Sequence, residues 1–243
     1  MKVKLKKYAV RVLALILVLF MGTSFYLHQT GYEHGDAAEE CMKQASEDET
    51  MMYSDRAGFA MGPEDADAGI IFYQGARVDA VSYAPLMREL ADSGIACFTS
   101  YMPYDLAILD KDAAEEIIRY NPDIGRWYIA GHSLGGAMAA SFAGENPELF
   151  EGVILLGAYS ADDISDANLK VISIYGSEDK ILNMDKYREY SANLPDDFTE
   201  AVIEGGCHSY FGDYGLQKGD GKPLISLNSQ IKQTAEIIKN KVI

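Results

Sequence analysis

The sequence predicts an α/β domain with a largely parallel central sheet covered by helices on both faces. Three observations carry that expectation. Short, continuous apolar runs recur along the chain with helical segments between them, which is how strands buried on both faces read. One of these runs, residues 127–130, passes through Gly131-His132-Ser133-Leu134-Gly135 straight into an Ala-rich segment at 136–143. The 243 residues are 48% hydrophobic and 24% charged, a composition that supports one large core.

The elements follow in chain order. Residues 12–27 (VLALILVLFMGTSFYL) form an apolar run behind a flank carrying Lys2, Lys4, Lys6, Lys7 and Arg11. Extended back through Tyr8, with Arg11 snorkelling, the run approaches the roughly 20 residues that a bilayer needs. No Ala-x-Ala site follows it, so the expectation is an uncleaved single-pass anchor over 1–28, with the basic flank cytoplasmic and the body on the extracytoplasmic side. A cleaved signal peptide and a secreted body are the alternative. Residues 29–50 read as a tether with a short helix at 36–48, and 51–243 as the catalytic-type domain.

Within that domain an edge strand is expected in 51–61, followed by an acidic turn at 62–69. Residues 70–73 are a buried strand. Tyr83, Leu86, Met87 and Leu90 recur at three and four and mark a helix over 82–91, stopped at Gly94. A strand at 95–98 and a helix at 110–120, closed by Asn121-Pro122, precede the 127–143 unit. Strands at 152–156, 171–175 and 199–203, a helix at 184–190 and a closing helix at 230–239 complete the pattern. The 159–169 segment is too short for a large lid domain, so the pocket mouth is expected to be open.

Strand, Gly-x-Ser-x-Gly and helix in immediate succession are the setting of a nucleophile elbow. A turn that tight holds Ser133 at strained dihedrals and tolerates no side chain at the flanking glycines. The serine hydroxyl then stands above the sheet, and the Leu134 amide points to where an oxyanion would form.

A serine nucleophile needs a base, and the base an orienting acid. In chains with this elbow they follow in the order serine, acid, histidine. Of the four histidines, His28 and His34 lie in the tether and His132 sits inside the elbow, which leaves His208 in Glu204-Gly205-Gly206-Cys207-His208. Asp179, reached from strand 171–175 through Gly176-Ser177-Glu178, is the expected acid, with Glu178, Asp162 and Asp163 as competitors. The second oxyanion donor is expected after strand 70–73, from Ala76 or Arg77. Tyr210, Phe211 and Tyr214 are expected to line or cover the substrate cleft. Asp213 and Asp220 could serve as oxygen ligands, but their loop lacks the alternating acids and terminal Glu of a calcium hand, so no metal site is assigned.

Charge and cysteines narrow the classes further. Formal net charge is -16, and apart from the basic flank 16 basic residues face all 37 acids, which leaves no footprint for nucleic acid. Cys41, Cys97 and Cys207 have no paired or metal-type spacing, and Cys97 reads as a small buried hydrophobe.

From about Gly69 onward the chain resembles the bacterial α/β-hydrolase fold-5 family, related in architecture to the dienelactone hydrolases. The resemblance rests on Gly75-Ala76-Arg77-Val78 with Tyr83-Ala84-Pro85-Leu86, Met102-Pro103 with Leu106-Ala107-Ile108, and Gly131-His132-Ser133-Leu134-Gly135-Gly136. It continues through Tyr175-Gly176-Ser177-Glu178-Asp179, Glu204-Gly205-Gly206-Cys207-His208, and the run from Phe211-Gly212-Asp213-Tyr214 to Gly219-Asp220-Gly221. It implies the α/β-hydrolase fold, and it places nucleophile, acid and base on Ser133, Asp179 and His208. Cys207 departs from the family pattern, which has asparagine there.

Together these readings imply a serine-dependent hydrolase with a Ser-Asp-His triad and no metal or organic cofactor. Its substrate would be a carboxylic ester or related acyl bond of a small molecule. A catalytically dormant, surface-anchored binding or scaffold protein is the competing reading, since fold alone does not give activity. A peptidase is weaker, because no specificity domain is visible.

Overall fold

Eight strands form one sheet in the order β1-β2-β4-β3-β5-β6-β7-β8. They are β1 (Met51–Ser54), β2 (Gly58–Met61), β3 (Ala68–Tyr73), β4 (Ala96–Ser100), β5 (Arg126–His132), β6 (Gly152–Leu156), β7 (Lys170–Gly176) and β8 (Thr199–Ile203). The pairs β1–β2 and β2–β4 are antiparallel and all others parallel. The computed structural model describes residues 12, 22, 30–55 and 57–243. The chain divides into units 1–31 and 32–243, and the sheet belongs to the second.

Among the described residues six α-helices accompany the sheet: α1 (Asp36–Glu47), α2 (Ala84–Ala91), α3 (Ala113–Tyr120), α4 (Leu134–Glu145), α5 (Met184–Tyr190) and α6 (Leu227–Val242). Strand residues alternate between the two faces, as a period of two requires. Ile70, Phe72, Ile154, Ile172 and Ile174 join Leu86, Met87 and Leu90 of α2 and Ile231 and Ile238 of α6. Ile71, Tyr73, Ile129, Val153 and Leu155 join Ile117 of α3 and Ala139, Ala140, Phe142 and Ala143 of α4. Each fully buried side chain of this size contributes about 1.5–3 kcal/mol, so the strands' apolar runs supply much of the stability. The helix at Asp36–Glu47 packs on the same core through Ala45, with Cys41 and Met42 beside it. Its N-terminus is pinned by Asp213, whose Oδ2 accepts from Ala38 N at 2.9 Å.

Two departures from the sequence expectation have local causes. The single edge strand expected at 51–61 is a hairpin: the chain reverses at Asp55, whose Oδ1 accepts from Ala57 N at 2.7 Å while its amide donates to Gly58 O. The helix expected from 110 begins at Ala113, because two short 3-10 turns, Pro103–Asp105 and Ala107–Leu109, use the preceding residues.

The membrane expectation is corrected. Among the described residues no helix is long and apolar enough to cross a membrane. The longest of them, α6, has 16 residues and exposed polar positions, short of the roughly 20 apolar residues a span needs. The single-pass placement, its extracytoplasmic orientation and the membrane as a partner are therefore withdrawn. The stretch that prompted them, 12–27, lies outside the described residues except for Val12 and Gly22.

Strand order places the site. From β3 the chain crosses to β4 on one side, then returns to β5 on the other. That reversal leaves a crevice beyond the carboxyl ends of β3 and β5, where open α/β sheets bind ligands. Both the loop after β3 and the turn after β5 open onto it.

Candidate active site

Ser133 is the single residue between β5 and α4. Its backbone sits at φ 54° and ψ −121°, a conformation that costs a non-glycine residue about 1–3 kcal/mol. The surrounding contacts hold it there. Ser133 N donates to Leu156 O at 2.9 Å, and Ser133 O accepts from Ala137 N at 3.2 Å. A methyl at Gly131 would run into Gly135, and one at Gly135 into the carbonyls of Tyr73 and Gln74. Only glycines let strand, helix and the end of β3 approach so closely.

A serine at a helix N-cap ordinarily spends its hydroxyl on the first turn, as Ser226 does for α6, and Asn183 caps α5 in the same way through its amide oxygen. Ser133 makes no such bond. Its hydroxyl remains available, and the opening amides of α4 keep the partial positive charge of an uncapped helix start.

The loop after β3 faces that helix start. Gly75 N donates to the Tyr83 hydroxyl at 2.9 Å, and Arg77 N donates to Asp105 O at 2.7 Å. Of the two donors left open by the sequence, Arg77 is thus engaged. Among the described residues the Ala76 amide has no backbone acceptor.

Asp179 and His208 come together from the ends of β7 and β8. His208 Nδ1 lies 2.8 Å from Asp179 Oδ2, and each side chain is 1% exposed. The other carboxylate oxygen, Oδ1, accepts from Ile181 N at 2.9 Å and Leu182 N at 2.8 Å, so the acid is fixed from both sides. The competing acids are elsewhere. Glu178 meets the Ser177 hydroxyl, Asp163 accepts from Ser165, and Asp162 is exposed. Among the described residues His208 Nε2 is buried without a hydrogen-bond partner, and His208 lines the same cleft as Ser133.

Gly157 lies against this pair at φ 53°. A methyl there would sit 2.9 Å from His208 Nδ1 and 3.2 Å from Asp179 Oδ2. Gly157→Ala is expected to push the His208 ring off Asp179, so that the downfield Nδ1–H resonance of His208 moves upfield or vanishes. Proton NMR alongside a thermal melt checks this, and an unchanged resonance in the folded variant would show that the pair tolerates displacement.

The cleft has a volume of about 270 Å³ and is lined chiefly by Leu134, Ala137, Tyr159, Ile181 and Leu182 around Ser133 and His208. Tyr210, Phe211 and Tyr214 are not among its lining residues. Phe211 and Tyr214 are buried in the core behind the site, with rings 5.6 and 6.3 Å from that of His132. The 3-10 turn Ser209–Phe211 directs Phe211 inward, and Tyr210 is half-buried. A larger hollow of about 440 Å³ at the antiparallel edge is lined by Tyr53, Asp55, Asp110 and Glu116 among others, and its lining has no Ser–His pair.

His132 is the residue whose part the sequence did not reveal. It is buried, its Nδ1 is 2.8 Å from the Tyr83 hydroxyl, and its ring centroid is 4.4 Å from that of His208. Burial, reinforced by the charge of His208, pushes its pKa well below the ordinary histidine value. His132 is therefore neutral where an ordinary histidine would titrate. The hydroxyl of Tyr83 thus links the elbow to the Gly75 amide of the facing loop. Asp213 and Asp220, weighed above as oxygen ligands, both accept protein N–H groups. The three cysteines are free.

Comparison with known proteins agrees with this architecture. A protein of Mycobacterium phage D29, provisionally assigned as a non-heme haloperoxidase, is 27% identical over 139 residues, 51% of this chain and 47% of that protein. The chain thus spans about half the length of that curated relative. The monoacylglycerol lipase of Paleococcus ferrophilus superposes with a TM-score of 0.60 at 13% identity, covering 77% of this chain and 99% of the lipase. The esterase domain of a Rhodothermus marinus protein gives 0.59 at 14% identity, covering 76% and 90%. At such identities these two structures show the fold alone. The model of the alpha/beta hydrolase family matches residues 69–232, the span that holds the elbow, Asp179 and His208, and by that match the chain belongs to the alpha/beta hydrolase family.

Proposed function

We propose that the protein is a serine hydrolase that transfers the acyl group of a small neutral ester to water. Ser133 Oγ attacks the carbonyl carbon, and His208 Nε2 takes the hydroxyl proton. Asp179 holds the ring in the tautomer with Nδ1 protonated and supports the imidazolium. The amides of Leu134 and Ala76 receive the developing oxyanion. His208 then returns the proton to the leaving alkoxide, and water repeats the sequence on the acyl-enzyme. One observation carries the reading: a buried Asp179–His208 pair whose histidine lines one cleft with Ser133 and whose Nε2 has no hydrogen-bond partner among the described residues.

The cleft argues for the acyl side of the substrate. Its walls are largely aliphatic and include no Lys or Arg, so a carboxylate-bearing acyl group would lose hydration without a counter-charge. Its volume suits a short chain. The esterase and lipase among the structural neighbours act on bonds of this type.

Incubation of the full chain with a fluorophosphonate probe tests the proposal. Covalent labelling that is lost in Ser133→Ala, with ester turnover highest for short neutral acyl groups, is the expected result. Absence of both labelling and turnover would favour the dormant binding protein instead.

The acid limb of the pH profile gives a further check. With His132 held neutral, kcat/KM on a neutral ester should rise about tenfold per pH unit and then level, reporting one ionisation. A slope of two would show that His132 gains a proton in that range as well.

A further inference from the structure

The loop 212–221 returns across the site and lays Asp220 between the two segments that carry Asp179 and His208. Asp220 Oδ1 accepts from His208 N at 3.3 Å, Lys180 N at 3.3 Å and Gly221 N at 2.7 Å. Its Oδ2 accepts from the amide and the hydroxyl of Ser209, at 2.8 and 2.6 Å. Lys180 follows Asp179 directly, so one carboxylate collects donors from both sides of the acid–base pair. Ser209 Oγ in turn accepts from Gln217 N at 2.8 Å and closes the loop on itself. A methyl at Gly221 would run into the Glu178 carbonyl, which shows how closely the loop is laid on the acid segment. On the other side of His208, Gln230 accepts from Cys207 N at 2.9 Å and donates to Cys207 O at 2.7 Å. With asparagine absent at position 207, the backbone there is held by Gln230 and beyond it by Asp220.

We infer that Asp220 is a positioning residue for the Asp179–His208 pair, its carboxylate bracketing the two segments so that His208 Nδ1 meets Asp179 in register. Its consequence for rate rests on the serine-hydrolase reading above, whereas its consequence for the pair does not. A carboxylate is the group this place requires. It presents acceptors on both oxygens, whereas an amide would turn its NH2 toward donors on one side. Burial raises the Asp220 pKa, but the Ser209 hydroxyl and the amides of Ser209, Gly221 and Lys180 outweigh it and hold the group below the ordinary carboxylate range. Because the folded value is depressed, the charged bracket stabilises the fold above the unfolded value of about 3.9. That contribution is lost as pH falls through the folded value.

The test compares the full chain with Asp220→Asn and Ser209→Ala. Proton NMR follows the downfield Nδ1–H resonance of His208, assigned by its disappearance in His208→Gln, while kcat and KM are measured on a neutral ester. In Asp220→Asn the resonance should move upfield or vanish, and kcat should fall about 100-fold with KM changed by at most about twofold. Ser209→Ala removes two bonds, the one its hydroxyl donates to Asp220 and the one it accepts from Gln217 N, and should lower kcat roughly fivefold. A folded Asp220→Asn with unchanged resonance and kcat overturns the inference. If that variant does not fold, unchanged resonance and kcat in Ser209→Ala overturn it instead. A wild-type chain that shows the resonance but neither labelling nor turnover would sink the hydrolase reading, leaving the bracket to be judged on the resonance alone.

Discussion

Ser133→Ala is expected to lower kcat for ester hydrolysis by about 10⁶, the scale seen when the nucleophile of an acyl-transfer triad is removed. The basis is geometric. β5 and α4 meet at this one residue, its φ of 54° is held by the Leu156 and Ala137 contacts, and its hydroxyl is not spent on capping. Alanine at 133 keeps the hydrogen bonds of the backbone and the packing of Gly131 and Gly135, so the melting temperature should barely change. Residues that act as a unit do not add, so Ser133→Ala/His208→Ala should be no slower than Ser133→Ala alone. A residual rate of roughly 10³–10⁴ over water is expected from the amides of Leu134 and Ala76 and from binding. Turnover of Ser133→Ala within about a hundredfold of wild type would remove Ser133 from the chemistry, since loss of a nucleophile costs far more than that.

The parts of this fold that could be read from sequence are those fixed by local pattern. The strands Gly152–Leu156 and Thr199–Ile203 and the helix Met184–Tyr190 fall at their expected residues, because apolar runs and local breakers coincide there. The Ala-rich segment expected at 136–143 belongs to a helix that opens at Leu134, the residue whose amide was expected to begin it. Asp179 and His208 were legible from chain order, and the structure brings them to 2.8 Å. Tyr210, Phe211 and Tyr214 were not. Whether an aromatic faces a cleft or a core depends on one 3-10 turn at 209–211, and three residues carry no periodicity. The parts of His132 and Asp220 depend on contacts with Tyr83, 49 positions away, and with Lys180, 40 positions away. Such long-range pairings leave no signal in a single sequence. The membrane expectation came from the length of the apolar run at 12–27 and its basic flank, and no described helix supports it.

Asp179→Asn should lower kcat by about 10⁴ while leaving the fold intact. Asparagine has nearly the shape of aspartate, and the place separates its two ends. Oδ1 receives the amides of Ile181 and Leu182 at 2.9 and 2.8 Å, a role that only the amide oxygen can fill. The NH2 group is then directed at His208 Nδ1, which must accept instead of donate. That fixes the imidazole proton on Nε2, the atom that takes the proton of Ser133 in the proposed mechanism, and holds the ring in the wrong tautomer for it. Because the two amide acceptor bonds survive, a melt should move by only a few degrees, the equivalent of about 1 kcal/mol in a domain of this size. Glu178→Gln is the control, since Glu178 meets only the Ser177 hydroxyl, at 3.4 Å, and it should keep wild-type kcat to within about twofold. The readings are kcat on a neutral ester, the melting temperature, and the His208 Nδ1–H resonance, which should vanish in Asp179→Asn. A folded Asp179→Asn that keeps both the resonance and its activity would show that another acid orients His208.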